Sequence, residues 1–198
     1  MIVIGLTGGF GSGKSTVSRI LQGLGARVLD ADKVGHQLYQ PGTPVWKEVV
    51  AAFGPGIVQA SSEIDRKKLG EVVFKDPEAL KRLNAIMHPR MFEAIKETLE
   101  GWRREGVKVA VLEAAILFEA NWTPLVDQVW VTRASEEKVA ERLGRDKGLS
   151  PAQVRSRLAS QMSVEEKAKR AQVVIDNSGP LEQVKKQVEG LWQRLNSP

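Results

Sequence analysis

The chain is 198 residues long, enough for one compact domain with an inserted segment, and its 42% apolar and 27% charged content is that of a folded soluble protein. It has no cysteine, which excludes disulfide scaffolds, thiolate metal sites and cysteine nucleophiles. A net charge of +5 leaves two readings, a nucleic-acid surface or an enzyme for phosphate-rich ligands, and an aromatic content of 6% without Arg/aromatic interleaving favours the second.

Residues 2–6 form a short apolar, β-branched run, read as a buried strand. "GGFGSGKST" follows, and then a helix with Val17, Ile20, Leu21 and Leu24 on one face and a stop at Gly25. "ARVLDAD" reads as a second strand ending in Asp30 and Asp32. A helix around Val34 and Leu38 stops near Pro41-Gly42. Residues 45–53 read as helix, 54–65 as a loop, and 69–74 and 77–87 as two short helices. Met91, Ile95, Leu99 and Trp102 mark a separate amphipathic helix, with His88-Pro89 at its start. "VKVAVLE" and "DQVWVTR" are the third and fourth strands, ending in Glu113 and Arg133. Ser135 opens a helix, read as a capping box, and "LSPAQVRSRLASQM" is another helix with Pro151 in its first turn. "AQVVIDNSG" is a fifth strand ending in Asp176 and Asn177, and an apolar stripe from Leu181 to Leu195 makes the last helix.

Strands alternating with helices predict an α/β fold with a five-stranded parallel sheet flanked by helices. The strand-free stretch 45–104 is the expected insertion. The polar residues fall at the carboxyl ends of the strands, where open α/β sheets bind ligands.

Residues 8–15 match G-x-x-x-x-G-K-[ST] in full, between a strand and a helix. Gly8, Gly9, Gly11 and Gly13, with Ser12 between them, let backbone amides turn inward around an anion. Lys14 is expected to reach the β- and γ-phosphates of ATP, the Ser15 hydroxyl to ligate Mg²⁺, and the Thr16 amide to face an α-phosphate. The absence of an N-K-x-D segment argues against a GTPase. Asp32 has two readings: a carboxylate that takes a proton from an acceptor hydroxyl during phosphoryl transfer, or a helix cap. Glu113 is either a Walker-B-type acid holding Mg²⁺, directly or through water, or an acid in a solvated loop. Between residues 133 and 170 stand ten basic residues against six acidic ones, either a lid that brings Arg over the transferring phosphate or two solvated helix faces. His36 and His88 are isolated and give no metal site. The start, "MIVIGLTGG", lacks a basic n-region, and the ten-residue run "VAVLEAAILF" carries Glu113 within it. Both point to a cytoplasmic protein without a membrane span.

"LTGGFGSGKST", "VLDADKV", "LNAIMHP", "VLEAAILFE" and "RSRLASQMSVEEKAKRAQVVIDNSG" together resemble the bacterial dephospho-coenzyme A kinases, in order and over nearly the whole chain. The resemblance implies a P-loop kinase that uses Mg·ATP to phosphorylate the ribose 3′-hydroxyl of dephospho-coenzyme A, the last step of coenzyme A synthesis. It implies a core of about 1–44, 105–133 and 171–198, a helical acceptor-binding insertion of about 45–104 and a lid within 134–170. Asp32 becomes the catalytic base, Arg145 and the nearby Arg142 become lid arginines, and Asn177 joins the nucleotide site. Thr7, Arg66 and His88 fall on the acceptor side. Dephospho-coenzyme A is the implied partner, with no nucleic acid, on a monomer or weak homo-oligomer. Two positions depart from the family pattern: Ala115 stands where "PLLFE" has proline, and Gln172 stands in "AQVVIDN". The rival readings are another small-molecule or nucleotide kinase on the same scaffold and a non-catalytic nucleotide-binding module.

Overall fold

The computed structural model describes residues 1–135, 137–139 and 161–195. They divide into two compact units: residues 1–30 with the described residues from Trp102 onward, and Ala31–Gly101.

The first unit is built on a parallel sheet of β1 (Ile2–Gly8), β2 (Arg27–Asp30), β3 (Val109–Glu113), β4 (Gln128–Arg133) and β5 (Val173–Asp176), in the order β2-β3-β1-β4-β5. Strand β1 sits in the middle, with Leu6 opposite Glu113 on β3 and Gly8 opposite Thr132 on β4. Asp30 also lies opposite Glu113, and Arg133 opposite Asp176. The strands therefore finish nearly level, and the switch point of the sheet lies beside the end of β1.

Alternation along β1 assigns its two faces. Ile4 and Leu6 pack with Val17 and Leu21 of α1 (Lys14–Gly23), with Val184 and Val188 of α7 (Leu181–Leu195), and with Val111, Trp130 and Ile175. Each such side chain, fully buried, stabilises the fold by about 1.5–3 kcal/mol. On the other face, Gly5 meets Leu117 and Val126 so closely that a Cβ would lie 2.8 Å from Leu117. Helix α6 (Val164–Arg170) also packs on β1 and β4. That short helix was not foreseen from sequence, because only Lys167 of its seven residues is buried and it carries no apolar stripe.

The second unit contains α2 (Ala31–Leu38), α3 (Pro44–Phe53), α4 (Arg66–Val73) and most of α5 (Pro77–Arg104). Thr43 caps α3 through Trp46 N, and Asp65 caps α4 through Lys67 N and Lys68 N. The expected loop at 54–65 holds a 3₁₀ turn, Pro55–Ile57, and a bridge between Val58 and Ile64.

Three expectations need correction. Residues 77–104 form a single helix that runs through Pro89, not two. Pro89 forfeits one amide donor toward the Ala85 carbonyl, but Met87, Met91, Ile95 and Leu99 are buried on both sides of it, and that packing carries the helix across. Asp32 lies in the first turn of α2 rather than at a strand end, because β2 passes into α2 with no loop between them. Ser135 does accept the Lys138 amide at 3.4 Å, but the third residue after it is lysine, so the reciprocal half of a capping box is missing. No described helix is long and apolar enough to cross a membrane.

Candidate active site

The loop between β1 and α1 is shaped by its glycines. Gly13 takes the left-handed conformation at φ 89° and precedes α1 with no side-chain cap. The positive end of the α1 dipole is thereby presented to an anion, while the Thr16 amide, expected to face an α-phosphate, donates to the Gly13 carbonyl at 3.0 Å. Gly8 is required by close approach: a Cβ there would sit 2.4 Å from both the carbonyl and the hydroxyl of Thr132. The Lys14 ammonium donates to the carbonyls of Gly8 at 3.2 Å and Gly9 at 3.1 Å. It is drawn back across the mouth of the loop, where phosphate oxygens would meet it.

Hydrogen bonds fix the loop from behind. The buried Ser12 and Thr132 hydroxyls pair at 2.7 Å, and Asn177 Nδ2 donates to the Ser12 carbonyl at 2.9 Å. Asn177 is 3% exposed and Thr7 is fully buried, with the Thr7 hydroxyl donating to the Ala115 carbonyl at 3.3 Å. Both side chains, expected to touch ligands, are turned into the protein here.

Glu113, at the end of β3, accepts a hydrogen bond from Ser18 Oγ on α1 at 2.6 Å, one turn beyond the exposed Ser15. Among the described residues no group of three His, Cys, Asp or Glu side chains converges to hold a metal. A hydroxyl and a carboxylate offer only hard oxygen donors. That set fits Mg²⁺, which keeps most of its waters and takes phosphate oxygens as ligands.

In the second unit, side chains from α2, the residue that follows it and the start of α4 come together. Arg66 Nη1 lies 3.0 Å from His36 Nε2 and 3.3 Å from Nδ1. A guanidinium only donates, so a ring nitrogen of His36 is the acceptor in this contact. His36 meets Tyr39 edge-on at 5.8 Å. Burial pushes the Tyr39 phenol above its usual range, Arg66 pulls it down and Asp32 pushes it up. Asp32, His36, Tyr39 and Arg66 thus share one electrostatic neighbourhood. His88 is half-buried in the middle of α5.

The dephospho-CoA kinase family model matches residues 2–183. The chain belongs to the dephospho-CoA kinase family. It is 48% identical over 194 residues to a Geobacter sulfurreducens protein named dephospho-CoA kinase, covering 98% of each chain. Among solved structures it is similar to TT1252 from Thermus thermophilus, with a TM-score of 0.84 and 34% identity, covering 99% of this chain and 98% of that one. It is also similar to dephospho-CoA kinase from Campylobacter jejuni, with a TM-score of 0.64 and 26% identity, covering 98% and 96%. These likenesses extend beyond the phosphate loop, which many kinases share, to the whole α/β core.

Arg142 and Arg145, the lid arginines implied by the family, lie outside the described residues. Sequence reasoning missed Ser18, Tyr39 and Lys167. Ser18 shows no motif signal. Tyr39 stands just beyond its helix, seven residues after Asp32 and on the same helical face, but a lone tyrosine there carries no motif signal. Lys167 lies within "RSRLASQMSVEEKAKRAQVVIDNSG", but a lysine in a basic segment reads as solvated, whereas this one is fully buried.

Proposed function

We propose that the protein transfers the γ-phosphoryl group of ATP to the ribose 3′-hydroxyl of dephospho-coenzyme A, giving coenzyme A and ADP. The reading is supported by the family match over residues 2–183, on a chain whose loop has the glycine geometry and lysine placement to hold a triphosphate.

The loop amides and Lys14 bind and orient the phosphates. Ser15 and Glu113 would hold Mg²⁺, which when bound neutralises charge on the β- and γ-phosphate oxygens. Asp32 takes the proton of the 3′-hydroxyl as the new oxygen–phosphorus bond forms, and the bond from the γ-phosphorus to the β–γ bridging oxygen breaks, with ADP leaving. Arg66, held by His36, binds an anionic part of the acceptor. Arg145 and Arg142 exclude water and stabilise the charge that develops on the transferring group. Two long anionic substrates account for the +5 charge without nucleic acid.

The test is acceptor-dependent ADP release from Mg·ATP, comparing dephospho-coenzyme A with nucleoside monophosphates, nucleosides and shikimate. The expected result is release only with dephospho-coenzyme A, with the product heavier by one phosphoryl group at the 3′-oxygen. Turnover of a different acceptor would keep the phosphate site and sink the substrate. ATP binding without turnover of any acceptor would sink the enzyme reading.

A further inference from the structure

Lys167 is charged and has no accessible surface. Its ammonium donates to the Ala115 carbonyl at 2.6 Å and lies 2.9 Å from Glu119 Oε1, which also accepts the Met162 amide at 2.9 Å. A buried ammonium is retained only where its partners are well placed, because removing it from water costs several kcal/mol. The partners here belong to the segment that follows β3.

That anchor leads to the phosphate loop through consecutive hydrogen bonds. The Ala115 carbonyl also receives the Thr7 hydroxyl at 3.3 Å. The Thr7 carbonyl receives the Thr132 hydroxyl at 3.3 Å, and Thr132 pairs with Ser12 at 2.7 Å. Every side chain from Lys167 to Ser12 on this path is at most 1% exposed. A second route is direct packing. Val164, at the start of the helix carrying Lys167, lies so near Gly9 that a Cβ there would be 2.7 Å from Val164 Cγ2. Residues 161–170 therefore press on the loop at Gly9 and brace it at Ser12.

We propose that Lys167 is a positioning residue for the nucleotide half of the reaction: its buried pairing with Glu119 and the Ala115 carbonyl sets the phosphate loop in its anion-binding shape. It touches no reacting atom. This rests on the loop binding ATP, as proposed above. The effect belongs to the nucleotide side, because the path ends at Ser12 and Gly9.

The experiment measures ATP dissociation constants and steady-state constants for Lys167→Met combined with Glu119→Gln. The double change removes both charges, so neither is left buried alone. The expected result is a rise of about five-fold in the ATP Kd and in KM for ATP, with KM for dephospho-coenzyme A changed less than about two-fold. Thr132→Val, which cuts the path at its middle, is expected to raise the ATP Kd about two-fold. It decides the matter if the double variant does not fold. An unchanged ATP Kd, or both KM values rising together, overturns the proposal. Failure of the wild-type protein to bind ATP would instead sink the proposed function, and this inference with it.

Discussion

The phosphate loop and the Asp32–His36–Tyr39–Arg66 neighbourhood, which we propose serve the two substrates, are made of different materials. The loop is a backbone site: its donors are amides, its shape comes from Gly8 and Gly13, and its support is a set of buried hydroxyl and amide hydrogen bonds. The second site is made of partly exposed side chains that orient one another. Lys14 apart, a backbone site tolerates little change in geometry and much change in side-chain identity. A side-chain site behaves the opposite way, and the variants below separate the two.

The largest effect is expected at the loop. Gly8→Ala drives a Cβ into Thr132, so ATP binding should be abolished while the protein still folds around a displaced loop, as read by calorimetry with ATP and by circular dichroism. Lys14→Ala removes a donor to the transferring phosphate and should lower kcat by about a hundred- to a thousand-fold. Retained activity in either variant would refute the loop as the site of chemistry.

In the second unit, Asp32→Asn should lower kcat by about a hundred- to ten-thousand-fold, leaving the ATP Kd nearly unchanged. A fall in ATP affinity of the same size would move Asp32 to the nucleotide side and erase the contrast. Arg66→Ala and His36→Ala are expected to be milder, raising KM for dephospho-coenzyme A by about ten-fold and about three-fold, since His36 acts only by holding the guanidinium. If His36→Ala costs more than Arg66→Ala, His36 contacts the acceptor itself.

This contrast also explains what could be read in advance. The five strands, their parallel sense and the loop chemistry follow from β-branched runs and a glycine pattern, both local in sequence. Long-range order is not local. Nothing in "VLDADKV" says that β2 flows into α2 without a loop, so the placement of Asp32 on a helix had to come from the structure. Pro89 looked like a boundary because proline ordinarily ends helices, whereas the burial of Met87 and Met91 outweighs one lost hydrogen bond. Thr7 adjoins the loop in sequence and Asn177 reaches it only through the fold, yet both side chains point inward, which motif spacing does not reveal. Lys167 and Glu119 are 48 residues apart, and their pairing is a property of the packed core.

The smallest expected effect tests whether the end of β5, next to the Asn177 that braces the loop, is merely structural. Asp176, at the end of β5, has its carboxyl held below the ordinary 3.8, first by the Ser178 amide, which donates at 2.9 Å, then by the Ser178 hydroxyl and by Arg133. A depressed carboxyl pKa contributes stability that is complete above the unfolded-state value and is lost as pH falls through the folded-state value. The Arg133–Asp176 pair is about half exposed, at 57% and 46%, so solvent screens it and the contribution is small. Asp176→Asn keeps an oxygen for the Ser178 amide and removes the charge together with the oxygen that accepts from Arg133. The melting temperature should drop by about 1–2 °C at pH 7, and the difference from wild type should close as pH is lowered below 3.8. KM for both substrates should stay where it was. A change in either KM at constant stability would instead place Asp176 in the working site with its neighbour Asn177.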